Sequence, residues 1–186
     1  LSIKTDHADA FTNLLFLYGR HAALTPEGYL AKARAWEDSC VPEEVRQQAR
    51  TRRFSRASCD SRRLKVGYVS GDFREHAVSY FIEQIFSSHD SKRIELYAYT
   101  TFAYEDKVTL RLKQLVEHWT SLVGLSAAAA RDRIAADEID VLIDLSGHTA
   151  HNRLTVFARR AAPVQAHYLG YFASTGLTEI DYWIGD

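Results

Sequence analysis

LKVGYVSGDFREH, residues 64–76, holds an apolar β-type run (Leu64, Val66, Tyr68, Val69) that stops at Ser70-Gly71-Asp72. A short polar loop then carries His76 to the start of a helical pattern. In an open α/β sheet such loops sit at the carboxyl ends of strands and face the ligand crevice. The remainder of the chain repeats this theme. A helix near 78–88, a strand at 94–100 (IELYAYT), a helix at about 105–117 burying Val108, Leu112 and Leu115, and a short strand near 119–123 come next. Ser126 then caps an alanine-rich helix that ends near Glu138. Residues 141–145 (VLIDL) are almost continuously apolar, as a strand covered on both faces should be. A helix at about 152–160 and strands at 164–169 and 181–185 complete the pattern. Repeated βα alternation with short connections predicts an α/β fold with a mostly parallel, doubly wound sheet.

Upstream, residues 1–45 read as helix. Phe11, Leu14, Leu15 and Tyr18 fall at i, i+3, i+4 and i+7, one apolar stripe. The pattern breaks over 19–24, and Thr25-Pro26-Glu27 opens a second helix with Thr25 as N-cap and Pro26 at its first position. Tyr29, Ala33, Trp36 and Cys40 give that helix its own stripe. Two facing stripes make a helical hairpin, the unit of helical repeats, but one unit alone defines no repeat. Residues 46–63 carry seven arginines. They read as a solvated Arg-rich linker rather than a nucleic-acid patch, because a single aromatic, Phe54, interleaves where stacking on successive bases needs several. Residues 64–186 then form the α/β lobe.

With 186 residues, 46% hydrophobic and 25% charged, the chain is long enough for one well-packed soluble domain with a small appendage. A net charge of −1 gives no global field to draw nucleic acid or membrane. Cys40 and Cys59 form neither a disulfide framework nor a CxxC pair, which suits a reducing compartment such as the cytoplasm. No apolar run approaches the roughly 20 residues of a membrane helix, and no signal-peptide pattern opens the chain. The chain starts at Leu1 and contains no methionine, so it reads as a piece of a longer protein.

Three loops could carry chemistry. In the first, Asp72 and His76 are a carboxylate and an imidazole four residues apart, able to orient each other, position a diphosphate or move a proton. The same residues also fit a turn and a helix start. Gly67 and Gly71 do not make a GxGxxG fingerprint, which disfavours a dinucleotide dehydrogenase. In the second loop, DLSGHTAHNR (144–153), Gly147 permits a sharp turn that would point His148 and Thr149 into the crevice. His148 and His151 at i, i+3 lack further ligands at helpful spacing, so no metal is expected. A phosphate- or hydroxyl-binding loop at a helix N-terminus near Asn152 fits better. The third, APVQAHYLGYFASTG (162–176), offers rings and hydroxyls suited to a sugar or peptide pocket, or to plain packing on the sheet. All three follow strands of one parallel sheet and should share an edge, yet no second α/β unit is present to close over it.

The stretches LKVGYVSGDFREHAVSYF and IDVLIDLSGHTAHNRLTVFARRAAPVQAHYLGYFASTGLTEIDYWIGD resemble the catalytic region of O-linked N-acetylglucosamine transferases and their Spindly-like relatives, glycosyltransferase family 41. The resemblance covers about residues 64–186 in order, and the hairpin at 1–45 is similar to the segment that joins this family's tetratricopeptide repeats to that region. It implies a GT-B architecture of two Rossmann-like lobes with a nucleotide sugar between them, of which this chain is the first. The implied reaction is transfer of N-acetylglucosamine from UDP-GlcNAc to a Ser or Thr hydroxyl of a protein, inverting and without metal or other cofactor. Some relatives use GDP-fucose. The missing C-terminal lobe is an implied partner.

Asp72 and His76 match the family's D-F-x-x-H, the histidine facing the reacting centre and the aspartate a proton acceptor or relay. Gly147, His148 and Thr149 match its glycine turn, and Arg160, Pro163 and Gln165 match R-P-A-P-x-Q with Ala161 for the first proline. Gly170, Tyr171, Ser174, Thr175 and Gly176 match a G-Y-P-G-T-[ST]-G loop near acceptor and donor sugar, with Phe172 for proline and Ala173 for glycine. Ala77 and Val78 stand where the family often has proline and threonine. For a further histidine of some members, His7 is nearest but misplaced. The departures keep a second expectation open, a non-catalytic interaction protein that retains the fold.

Overall fold

The computed structural model describes residues 8–20, 24–54 and 62–185. His7 and Cys59 lie outside the described residues. Three helices come first, α1 (Ala8–Tyr18), α2 (Pro26–Cys40) and α3 (Glu43–Thr51). The alternating part follows: β1 (Leu64–Ser70), α4 (Ala77–Ser88), β2 (Ile94–Thr100), α5 (Lys107–Lys113), β3 (His118–Ser121), α6 (Ala127–Ala136), β4 (Val141–Asp144), α7 (Leu154–Phe157), β5 (Val164–Tyr168) and β6 (Tyr182–Ile184). The six strands form one sheet in the order β3-β2-β1-β4-β5-β6. Every neighbouring pair is parallel. This is the expected doubly wound α/β sheet.

Strand alternation sorts the core onto two faces. Val66 and Tyr68 of β1, Leu96 and Ala98 of β2 and Ile143 of β4 pack against Val78, Ile82 and Phe86 of α4 and Val108 and Leu112 of α5. Val69, Tyr97, Tyr99 and Leu142 point the other way, towards Ala130 and Ile134 of α6 and Leu154, Val156 and Phe157 of α7. The chain leaves β1 to build β2 and β3 on one side and returns to add β4 on the other. The order therefore reverses between β1 and β4, the place where open α/β sheets hold ligands.

Local chemistry sets the helix starts. Thr25 accepts from the Gly28 N–H with Pro26 in the first turn. Asp106 and Thr109 make a reciprocal capping box on α5, and Ser126 accepts from the Ala129 N–H. Leu15 of α1 and Tyr29, Ala33 and Trp36 of α2 belong to the same buried cluster as Val69 and Leu142 of the sheet. Hydrophobic packing therefore runs across the compositional boundary at residue 45.

Helix α3 corrects the reading of 46–63 as linker from its first residue. Glu43 pairs with Arg46 at 2.7 Å and with Gln47 at 3.2 Å on successive faces of the turn, and Ala49 is buried. Composition marked 46–63 as solvated, but i,i+3 and i,i+4 pairing from Glu43 makes its first part, to Thr51, helical. Its arginines, and those just before β1, have intramolecular partners. Arg52 donates to the Arg160 carbonyl, and Arg62 grips both oxygens of Asp140 at 2.6 and 2.7 Å. The helix expected at 152–160 is a single turn, because Arg160 adopts φ +53 to enter β5.

Ile82 is fully buried between α4 and the sheet, whereas Leu17 is 65% exposed. Ile82→Ala should lower the unfolding free energy by about 2–5 kcal/mol, and Leu17→Ala should stay within about 0.5 kcal/mol of wild type, both read by urea denaturation.

Candidate functional site

The loop after β1 is fastened from three sides. Ser70 Oγ accepts from the Asp72 N–H at 2.9 Å, Ser79 Oγ donates to the Asp72 carbonyl at 2.5 Å, and Thr109 Oγ1 donates to the Phe73 carbonyl at 2.7 Å. Phe73 is buried against Phe86 and Trp119. Asp72 and His76 are held at a fixed separation as a result. His76 Nδ1 lies 3.7 Å from Asp72 Oδ2, and Arg74 Nη2 lies 3.4 Å from Oδ1. The Asp72 side chain is 11% exposed and that of His76 41%. His76 is also the N-cap of α4, its Nδ1 accepting from the Val78 N–H at 3.3 Å. An N–H can only donate, so Nδ1 is the unprotonated nitrogen and the neutral ring carries its hydrogen on Nε2.

The loop after β4 turns on Asp144, which is completely buried. Its carboxylate accepts from the Ser146 and Gly147 N–H groups at 3.2 and 2.7 Å and pairs with His167 Nδ1 at 2.9 Å. His167 Nε2 faces the Tyr171 carbonyl at 3.2 Å. Both partners are acceptors, so the imidazolium form satisfies both. Burial pushes the His167 pKa down, but the hydrogen bond and charge of Asp144 outweigh it and the net shift is upward. Gly147 sits at φ +54 with the Tyr171 ring where a side chain would be, so no other residue fits this turn.

Burial corrects the expectation that His148 turns into the crevice. The residue is completely buried, donates from Nε2 to the Thr175 carbonyl at 2.8 Å, and meets the Trp36 ring edge-to-face at 5.1 Å. Desolvation pushes its pKa down to about 4. Thr149 stays half-buried, with Oγ1 donating to the Ser146 carbonyl at 2.8 Å. The anion loop expected near Asn152 is also altered. Asn152 donates to the Thr149 carbonyl and accepts from the Leu154 N–H, and α7 is only four residues long.

The loop after β5 rests on α2. Tyr171 is buried with its hydroxyl 2.6 Å from that of Tyr29, and Gly176 lies against Ala33. Thr178 donates through its N–H and its hydroxyl to the buried Glu37 carboxylate, the hydroxyl at 2.7 Å. Thr175 is buried and Ser174 half-buried, and Phe172 is half-exposed against Phe16. A cavity of about 450 Å³ opens here, lined by Tyr18, Leu24, Tyr29, Phe172, Ser174 and Trp183.

The three loops do share an edge. Thr101 Oγ1 donates to the His151 carbonyl at 2.6 Å, Gly71 abuts His151, and Val69 and Asp144 face each other across β1 and β4. Asp72, largely buried, and the exposed His76 form one pair at that edge. Gly147, His148, Tyr171, Thr175 and Gly176 form a packed block behind the edge. Sequence reasoning missed Glu37, His167 and the role of Asp144. A signal existed for two of them: Glu37 falls on the Tyr29, Ala33, Trp36 stripe at i+8, and Asp144 interrupts an apolar strand. Among the described residues no three His, Cys, Asp or Glu side chains converge on a metal position, and no helix is long and apolar enough to cross a membrane.

The model of the family described as glycosyl transferase family 41 matches residues 33–186. The chain is 39% identical over 129 residues to the probable UDP-N-acetylglucosamine–peptide N-acetylglucosaminyltransferase SPINDLY of Hordeum vulgare, covering 67% of this chain and 14% of that protein. It is 35% identical over 156 residues to the protein of the same name from Solanum lycopersicum, covering 82% of this chain and 15% of that protein. A mutant of the O-GlcNAc transferase of Thermobaculum terrenum superposes with a TM-score of 0.85 at 34% identity, over 97% of this chain and 34% of that one. The chain thus spans a small part of its curated relatives and about a third of the solved structure.

His148 makes acid stability a direct readout of this packing. The unfolded ring titrates near about 6.5, while the folded one titrates at about 4. A folded base with a lowered pKa leaves stability intact above the unfolded value and removes it as the pH falls towards the folded value. The loss should be about 2 kcal/mol between pH 7 and about pH 5. His167, shifted upward, contributes fully below its unfolded value and adds no slope there. Urea unfolding of His148→Phe should show this acid slope flattened.

Proposed function

We propose, from the premise that this chain belongs to glycosyltransferase family 41, that it is the N-terminal lobe of a protein O-glycosyltransferase acting in the cytoplasm. The reaction is transfer of N-acetylglucosamine from UDP-GlcNAc to Ser or Thr hydroxyls of a protein acceptor, with inversion at the sugar and without a metal ion. A C-terminal lobe elsewhere in the longer protein completes the donor site. The single observation that carries this reading is the Asp72–His76 pair, 3.7 Å apart at the reversal point of a six-stranded parallel sheet.

The geometry supports a division of labour within that pair. The lone pair on His76 Nδ1 is committed to the Val78 N–H, so the ring offers Nε2–H as a donor to charge that builds up on the leaving diphosphate. Asp72, an acceptor on both carboxylate oxygens, takes the role of proton acceptor or relay for the attacking hydroxyl. Thr149 and Ser174, each partly exposed, contact sugar or acceptor. Gly147, His148, Tyr171, Thr175 and Gly176 shape that wall from behind, which is how residues without exposed side-chain atoms act on a substrate.

A donor comparison in the longer protein tests this reading. UDP-GlcNAc should support transfer to a Ser- or Thr-containing acceptor and GDP-fucose should not, and both His76→Ala and Asp72→Asn should lower kcat by about 10²–10⁴-fold. The 186-residue chain alone should bind UDP weakly and transfer nothing. Robust transfer by this chain alone, or indifference of the longer protein to both substitutions, would overturn the assignment and leave an interaction protein that has kept the fold.

A further inference from the structure

Loops from three strands interlock beside Asp72 through one side chain. The Arg74 guanidinium stacks 4.9 Å from the centre of the Phe102 ring, and that ring lies 4.5 Å from the His151 imidazole. His151 is fixed in turn, with φ +61 and its carbonyl bonded to Thr101. Arg74 is therefore immobilised from below while it meets Asp72 Oδ1. Asp72 Oδ2 stands 3.7 Å from His76 Nδ1, just beyond a hydrogen bond.

His76 Nδ1 has two alternatives in the neutral ring. It accepts from the Val78 N–H, as observed, and then Nε2 bears the hydrogen. Otherwise it bears the hydrogen itself and donates to Asp72, and α4 loses its cap. The two arrangements exclude each other, and a shift of under 1 Å in the carboxylate separates them on ordinary hydrogen-bond distances. The other charged groups at this loop are Glu75 and Asp106, and Asp106 is engaged by the Glu75 N–H at 2.7 Å and by the start of α5.

We propose that Arg74 is a positioning residue: by anchoring Asp72 to the Phe102–His151 stack it keeps the carboxylate off His76 Nδ1 and so selects the ring form that presents Nε2–H to the crevice. This rests on the functional reading above for its consequence, but its test does not.

The test is nitrogen-15 NMR of the histidine rings in this 186-residue chain, without substrate, at about pH 8.5, where an ordinary imidazole is neutral. Wild type should show the Nε2–H form of His76. In Arg74→Gln the Nδ1–H form should become the major neutral species, with the Val78 amide losing its hydrogen-bonded shift. Phe102→Leu, which removes the platform and leaves the cation, should move the ring the same way to a smaller extent. Adding Asp72→Asn to Arg74→Gln should restore the Nε2–H form. A wild-type ring already protonated on Nδ1, or a ring unchanged in both Arg74→Gln and Phe102→Leu, would overturn the proposal. Absence of sugar transfer in the longer protein would overturn the functional reading and leave this result standing.

Discussion

A carboxylate and an imidazole sealed from water hold the edge of this sheet together. Asp144 and His167 stand opposite each other on neighbouring parallel strands, both are fully or almost fully buried, and they meet at 2.9 Å. Such a pair is tolerable only because every remaining polar atom has a partner. Asp144 also accepts the two N–H groups that form the Gly147 turn, and His167 also donates to the Tyr171 carbonyl. Removing either member would strand the other, at a cost of about 3–5 kcal/mol. One ion pair thus sets where the β4 turn lies and where the β5 loop begins, and the packed wall behind the sheet edge follows from both.

The wall is then clamped by residues distant in sequence. Tyr29 reaches Tyr171 across 142 positions, Glu37 takes the N–H and the hydroxyl of Thr178 across 141, and Trp36 covers His148. Each contact joins α2 to the loops after β4 and β5. In this geometry the helical hairpin supplies the floor beneath those loops, because the sheet face there would otherwise expose His148 and Tyr171 to water. The expected segment 1–45 and the expected lobe 64–186 therefore share one hydrophobic cluster.

How far the sequence could be read depended on the range of the interactions involved. Strand β1 and the loop ending in Asp72 and His76 were legible because alternation and turn chemistry are local. So were the caps Thr25 and Ser126. Helix α3 was missed because counting arginines hides the Glu43–Arg46 and Glu43–Gln47 spacing. His148 was misplaced for another reason. A glycine turn says that the chain bends, but which side the next residue faces depends on Trp36 and Thr175.

By itself the sequence determined the α/β alternation, the parallel sheet, the three loops that follow its strands, and the motifs shared with glycosyltransferase family 41. Those are properties of local periodicity and of residue order, which need no knowledge of neighbours in space. The tertiary structure decided which motif residues stand exposed and which support them. It left His76 exposed beside the largely buried Asp72 at the sheet edge and buried His148, Tyr171 and Thr175 behind it. It also decided the proton's place on His76, since that depends on a backbone N–H two residues on and on a carboxylate that Arg74 holds back. Exposure and protonation are set by what surrounds a side chain, and that is fixed only when distant segments pack.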